Sequence, residues 1–233
     1  ADAPFIGCFD GGGKSISGLT IVAKPSETAY IGLFGYCKNA SVSNVNIING
    51  KTEITASDDA TVNAGLLCGR FQKGYLSNCT VSGNISATTT SVSWTSQRQI
   101  VVGGIVGYNG ESTIKYCANS ATVSTNSHNY TYAGGIVGYN LGGYGSETGK
   151  IACCSNHGSI TSTTVGGYSS KAAEAGGITS HSYYGVIENS YNTGSISAIS
   201  SSTDVGGILS VASNTIVTNC YNVGAISASG NTS

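Results

Sequence analysis

The sequence predicts an all-β solenoid, and three observations support it. Six glycine-bounded apolar hexapeptides recur: Ile31 to Tyr36, Ala64 to Gly69, Gly103 to Tyr108, Gly134 to Tyr139, Gly176 to His181 and Gly206 to Val211. Their shared glycines (Gly32, Gly65, Gly104, Gly135, Gly177 and Gly207) stand 33, 39, 31, 42 and 30 residues apart, so the unit is about 30 residues with tolerant insertions. A second column, Val45, Cys79, Cys117, Cys154, Ser190 and Cys220, follows the glycine by 13, 14, 13, 19, 13 and 13 residues. A unit this short cannot bury its own apolar face and must stack on its neighbours.

Taken in order, residues 1–29 differ from the rest. Phe5-Ile6-Gly7-Cys8-Phe9-Asp10 leads through three glycines into Ser15 to Ile21, two strands about a turn, read as an atypical first coil that caps the array. Residues 30–228 hold the six repeats and residues 229–233 a tail, all within one domain of 1–233. Three short strands are expected per coil, for example Ile105-Val106, Ile114 to Cys117 and Thr122 to Ser124. Each is too short for a helix and is bounded by Gly, Asn or Ser.

Stacking such coils about 4.8 Å apart lines equivalent side chains into ladders. One ladder is Leu33, Leu66, Ile105, Ile136, Ile178 and Ile208; another is Val42, Leu76, Ile114, Ile151, Ile187 and Val217. Six residues after the second column come Ile85, Val123, Ile160, Ile196 and Ile226. Asn119, Asn156, Asn192 and Asn222 are expected to stack through their amides. Tyr36, Tyr108 and Tyr139 align as packing or rim residues. Ile226 closes the last rung, whose open edge is a template for further pairing.

Composition excludes several classes. Charged residues are 9% of the chain, against about 25% in ordinary domains, and net charge is -1, which steers the protein to neither nucleic acid nor an anionic membrane. No apolar run approaches the roughly 18 residues of a spanning helix. Ala1-Asp2-Ala3-Pro4 suits either a mature N-terminus left by signal cleavage or a simple cut. Gly11-Gly12-Gly13-Lys14-Ser15 fails as a phosphate loop, because the required first glycine falls at Cys8.

Val102 to Asn109 (VGGIVGYN) and Asn219 to Ser227 (NCYNVGAIS) resemble the GLUG-type repeat of bacterial surface proteins. Phe9-Asp10-Gly11 with Ile16 to Ile21 is similar to the segment that introduces such repeats. The resemblance covers nearly the whole chain and implies a right-handed parallel β-helix of six to seven coils. It implies a secreted or cell-surface setting, as in adhesin-like proteins and as an accessory region of some immunoglobulin-cleaving metallopeptidases. It brings no catalytic residues, and the chain lacks the His-Glu-x-x-His helix of zinc peptidases. The pattern departs at Cys68 and at Ser180-His181, where glycine and Gly-Tyr are expected.

Eight cysteines would ordinarily suggest a disulfide framework. The repeat instead makes Cys79, Cys117, Cys154 and Cys220 a buried ladder of free thiols, because parallel Cβ vectors suit a disulfide badly. Outside that column, Cys8 with Cys37 is the expected bridge, tying cap to first coil. No Cys-x-x-Cys pair exists and Cys153-Cys154 point apart, so no metal or other cofactor is expected. His128, His157 and His181 fall at non-equivalent positions and read as exposed loop histidines. The acids are scattered and Arg70 and Arg98 are the only arginines, which disfavours a polysaccharide-acting enzyme.

The inserts Thr88 to Ile100, Thr125 to Tyr132 and Ser162 to Lys171 follow the third strand of successive coils. They form either a ligand face around Trp94, Tyr130, Tyr132 and Tyr168, or mere spacers. The expected function is a non-catalytic structural or adhesive module, extracellular or on a bacterial-type cell surface. Its expected partner is itself, stacked end to end as a fibre, or another surface protein or glycan. A carbohydrate-binding module is the alternative.

Overall fold

The computed structural model describes residues 3–57, 59–89, 98–128, 130–144, 149–165 and 172–230. Among them every regular element is a strand, and every pairing is parallel. The protein is a β-solenoid with four faces, formed by sheets of six, six, seven and twelve strands. In the best-formed coil, Gln99–Gly103 lies on the first face and Val106–Gly110 on the second. Thr113–Lys115 lies on the third, and Ala118–Asn119 with Thr122–Ser127 on the fourth.

The three strands expected per coil are present, and Gln99–Gly103 and Ala118–Asn119 join them. The paired glycines at 103-104 allow a corner with close backbone approach, and the bend at Gly104-Ile105 divides Ile100 to Val106 into two strands there. The first coil forms short strands about its glycine turn and pairs with the next coil. Cys8–Asp10 pairs with Ser41–Ser43, and Ser15–Ser17 and Thr20–Ala23 pair with Asn46–Ala56.

The apolar ladders hold register residue by residue. Phe9, Val42, Leu76, Ile114, Ile151, Ile187 and Val217 form one continuous column on the third face. Ile85, Val123, Ile160, Ile196 and Ile226 form another on the fourth. Leu66, Ile105, Ile136 and Ile178 are fully buried between faces, with Leu33 and Ile208 half-buried at the two ends of that row. The column breaks once: Thr52 sits where its neighbours carry Ile21 and Ile85, and its buried hydroxyl has no partner.

Two kinds of asparagine make the corners and the polar core. Asn44, Asn78, Asn189 and Asn219, with Tyr116 and Cys153, occupy the corner between the third and fourth faces at φ of 50 to 56°. Asparagine is the side chain that best tolerates this left-handed region outside glycine, which accounts for four of the six. One strand further on, Asn119 Nδ2 donates to Asn156 Oδ1 (2.7 Å), Asn156 to Asn192 (2.6 Å) and Asn192 to Asn222 (2.6 Å). Each Nδ2 also donates to a carbonyl of its own coil, at Ala121, Gly158, Gly194 and Gly224. Ile16, Ile47 and Val81 continue this column toward the cap.

A second amide row runs beside the second face, where Asn109 donates to Asn140 (2.8 Å) and Asn140 to Ser182 (3.1 Å). Phe71 precedes Asn109 in the column and offers no donor, which leaves the buried Asn109 Oδ1 unpaired.

Candidate recognition cleft

Side chains on alternate positions of a strand point to opposite faces, so Ile100 and Val102 enter the core while Val101 points out. The chain then turns at Gly104-Ile105, and the outward residue of the next strand is Tyr108. Because the first and second faces meet at a re-entrant corner, these outward residues approach each other. The same seven-residue offset pairs Asn63 with Arg70, Val101 with Tyr108, Tyr132 with Tyr139, Glu174 with His181 and Asp204 with Val211; Tyr30 and Tyr36 are six apart. The result is a cleft with one row from each face.

In the second-face row, Tyr36, Arg70, Tyr108, Tyr139 and His181 are in register. Tyr108 and Tyr139 stack at 5.4 Å, and Tyr139 and His181 at 4.8 Å, both within 5° of parallel. The Arg70 guanidinium lies 4.9 Å from the Tyr108 ring centre and 5.5 Å from those of Tyr36 and Tyr30. It takes the place of a ring in the stack, a cation over aromatic faces. The first-face row is deeper: Tyr132 and Glu174 are each 7% exposed. Tyr132 meets both Tyr139 and His181 edge-on, at 5.9 and 5.8 Å.

The ionisable groups respond to this burial. Glu174 is pushed up from the usual carboxylate range by desolvation, which the hydrogen bond and charge of His181 only partly oppose. His181 Nδ1 lies 2.9 Å from Glu174 Oε2. Burial also raises the Tyr132 and Tyr139 phenols, with the Glu174 charge adding to both. All three groups therefore hold their protons more tightly than in water.

A carboxyl raised in the folded state costs stability where it is ionised in both states. That cost fades as pH falls through the folded pKa toward the ordinary value of 4.5. Glu174→Gln should remove this component. Urea midpoints of wild type and variant, taken at pH 7 and pH 4.5, should differ by an amount that shifts in the wild type's favour at the lower pH. A pH-independent difference would contradict the burial of an ionised Glu174.

Of the residues singled out in the sequence, Tyr132 belongs to the cleft and Tyr130 is half-buried at the start of Tyr130–Gly134. Trp94 and Tyr168 lie outside the described residues. His181 is no loop histidine: it stands where the repeat carries tyrosine and is bonded to Glu174. Sequence reasoning missed Tyr30, Arg70 and Glu174. The seven-residue offset across the paired glycines was the available signal.

All eight cysteines are free. Cys79, Cys117 and Cys154 are buried and Cys220 partly so. Each Sγ of the four lies 3.2 Å from the carbonyl two residues back, and Ser190 Oγ makes the same bond at 2.8 Å. A small donor that closes the preceding corner is what the column selects. Burial pushes the Cys117 thiol well up, and its neighbours Cys154 and Cys79 add to this, so it is a protonated packing group.

Cys8 is not placed to bridge Cys37. It enters on the third face opposite Ser41, whereas Cys37 is buried on the second, where its thiol is hydrogen-bonded to that of Cys68. Among the described residues no group of three His, Cys, Asp or Glu could hold a metal ion.

Fold and repeat together define a parallel β-solenoid repeat protein. Residues 99–124, one full circuit of the four faces, match the GLUG motif, so the chain carries a GLUG-type repeat in solenoid form. No curated protein and no solved structure compared with the chain matches it.

Proposed function

We propose that the protein is a non-catalytic structural and adhesive module of an extracellular or cell-surface protein, in which a rigid rod carries a recognition cleft. The carrying observation is where its few charges fall. In a chain only 9% charged, Arg70, Glu174 and Asp204 line a single six-coil cleft with His181, five tyrosines, Val101 and Val211. Residues buried in this cleft point away from the core, so packing of the core does not account for them. Aromatic edges and phenol hydroxyls beside a fixed cation suit a polar, hydroxylated ligand such as a glycan.

A glycan array tests this with wild type and the Tyr108→Ser/Tyr139→Ser double variant, whose substitutions face outward and leave the ladders intact. Binding by wild type and its loss in the variant is expected. Equal binding by both, or binding by neither, would overturn the reading.

A further inference from the structure

We propose that Arg70 anchors a subsite for a single carboxylate on an otherwise neutral glycan. The inference rests on the cleft being a recognition surface and names the chemistry of its ligand.

Arg70 is a cation held in place without a counter-charge. Lys51, Lys73 and Lys150 each reach a glutamate within 4 Å, whereas among the described residues Arg70 has no acidic partner. Its position is fixed by the three tyrosine rings around it and by the hydrogen bond from Nη1 to Tyr30 Oη (3.1 Å). Its Nε is buried with nothing to donate to. A guanidinium presents five donors in a planar fork that matches a carboxylate. Here one Nη1 bond is used internally, and the remaining Nη donors face a partly exposed cleft. Side-chain ordering, the usual cost of using an arginine, is met before any ligand arrives.

The charge pattern limits the ligand to one anion. Net charge is -1, so no field gathers a polyanion, and sulfated polymers and nucleic acid are disfavoured. Glu174 stands three coils along the same cleft, about 14 Å away at the coil spacing, with Asp204 in register one coil further. A second acidic group there would meet like charge. Between the two ends lie the rings of Tyr108 and Tyr139, a stretch suited to neutral sugar. Beside Arg70, Tyr36 Oη bonds Gln72 Oε1 (2.8 Å) and extends a hydroxyl-and-amide rim.

The test is calorimetric titration of the intact protein with sialyllactose, its methyl ester, lactose and hexaglutamate. Sialyllactose should bind, and the ester should bind at least tenfold more weakly, because only the carboxylate differs; lactose, which lacks the whole sialic acid residue, should bind no better than the ester. Arg70→Gln should lose about the same factor, and Arg70→Lys should recover part of it, since lysine lacks the fork. Tyr30→Phe removes one hydroxyl from the mount without emptying the stack and should weaken binding a few-fold, which guards against misfolding of the arginine variants.

Equal binding of sialyllactose, ester and lactose would overturn the carboxylate subsite while leaving the cleft a glycan site. Absence of all sugar binding would overturn both. Hexaglutamate bound more tightly than sialyllactose would replace the glycan by an acidic peptide and overturn the proposal.

Discussion

Asn156→Ala is expected to destabilise the protein by about 4 kcal/mol, because three buried groups each lose a hydrogen bond at once. Asn119 Nδ2 loses one of its two acceptors and keeps the Ala121 carbonyl, Asn192 Oδ1 loses its donor, and the Gly158 carbonyl loses the bond that closes its corner. Neighbouring asparagines are fully buried, so water cannot replace the lost bonds without opening the coil. The same change at Asn222 should cost about 1 kcal/mol, since that end of the ladder is only partly buried and solvent reaches it. Urea unfolding of both variants provides the comparison. If the two cost the same, the amide ladder is not what holds these coils in register.

Gly135→Ala should be at least as severe and should yield little or no folded protein. A methyl group there would lie 2.1 Å from the Gly177 carbonyl oxygen and 2.5 Å from Asn156 Cγ. Neither can retreat: one is backbone of the next coil, and the other is fixed in the ladder. Overpacking ordinarily costs about 1–3 kcal/mol, and here no side-chain rotation relieves it.

The clash also explains why two parts of the repeat travel together. Gly104, Gly177 and Gly207 face Asn119, Asn192 and Asn222 in the same way, so the second glycine of each pair is the space in which an asparagine lies. Gly230→Ala is the control, because nothing approaches that position. A Gly135→Ala protein melting within a few degrees of wild type would contradict this packing.

The ladders were legible because stacking turns a sequence interval into a contact. Val42, Leu76 and Ile114 needed only their shared offset to be placed side by side. The cleft was hidden by the opposite circumstance, since it joins residues within a coil across a corner. The paired glycines mark the bend, but the strand before them was not expected, so Tyr132 and Glu174 were not set against Tyr139 and His181. The Tyr108–Tyr139 alignment was visible, but an arginine or histidine substituting for a ring is recognisable only once planes are seen to stack. The Asn109–Asn140 row sat unnoticed inside the glycine motif itself. For Cys8, proximity in the cap was misjudged because the face on which the chain enters is not encoded in any repeat.

The asparagine column changes character along the rod, with Ile16, Ile47 and Val81 followed by Asn119, Asn156, Asn192 and Asn222. Between Asn119 and Asn222 each amide donates to the one in the coil that follows it, so all the links point one way. The rod therefore has a direction, and reversing a single coil would set donor against donor.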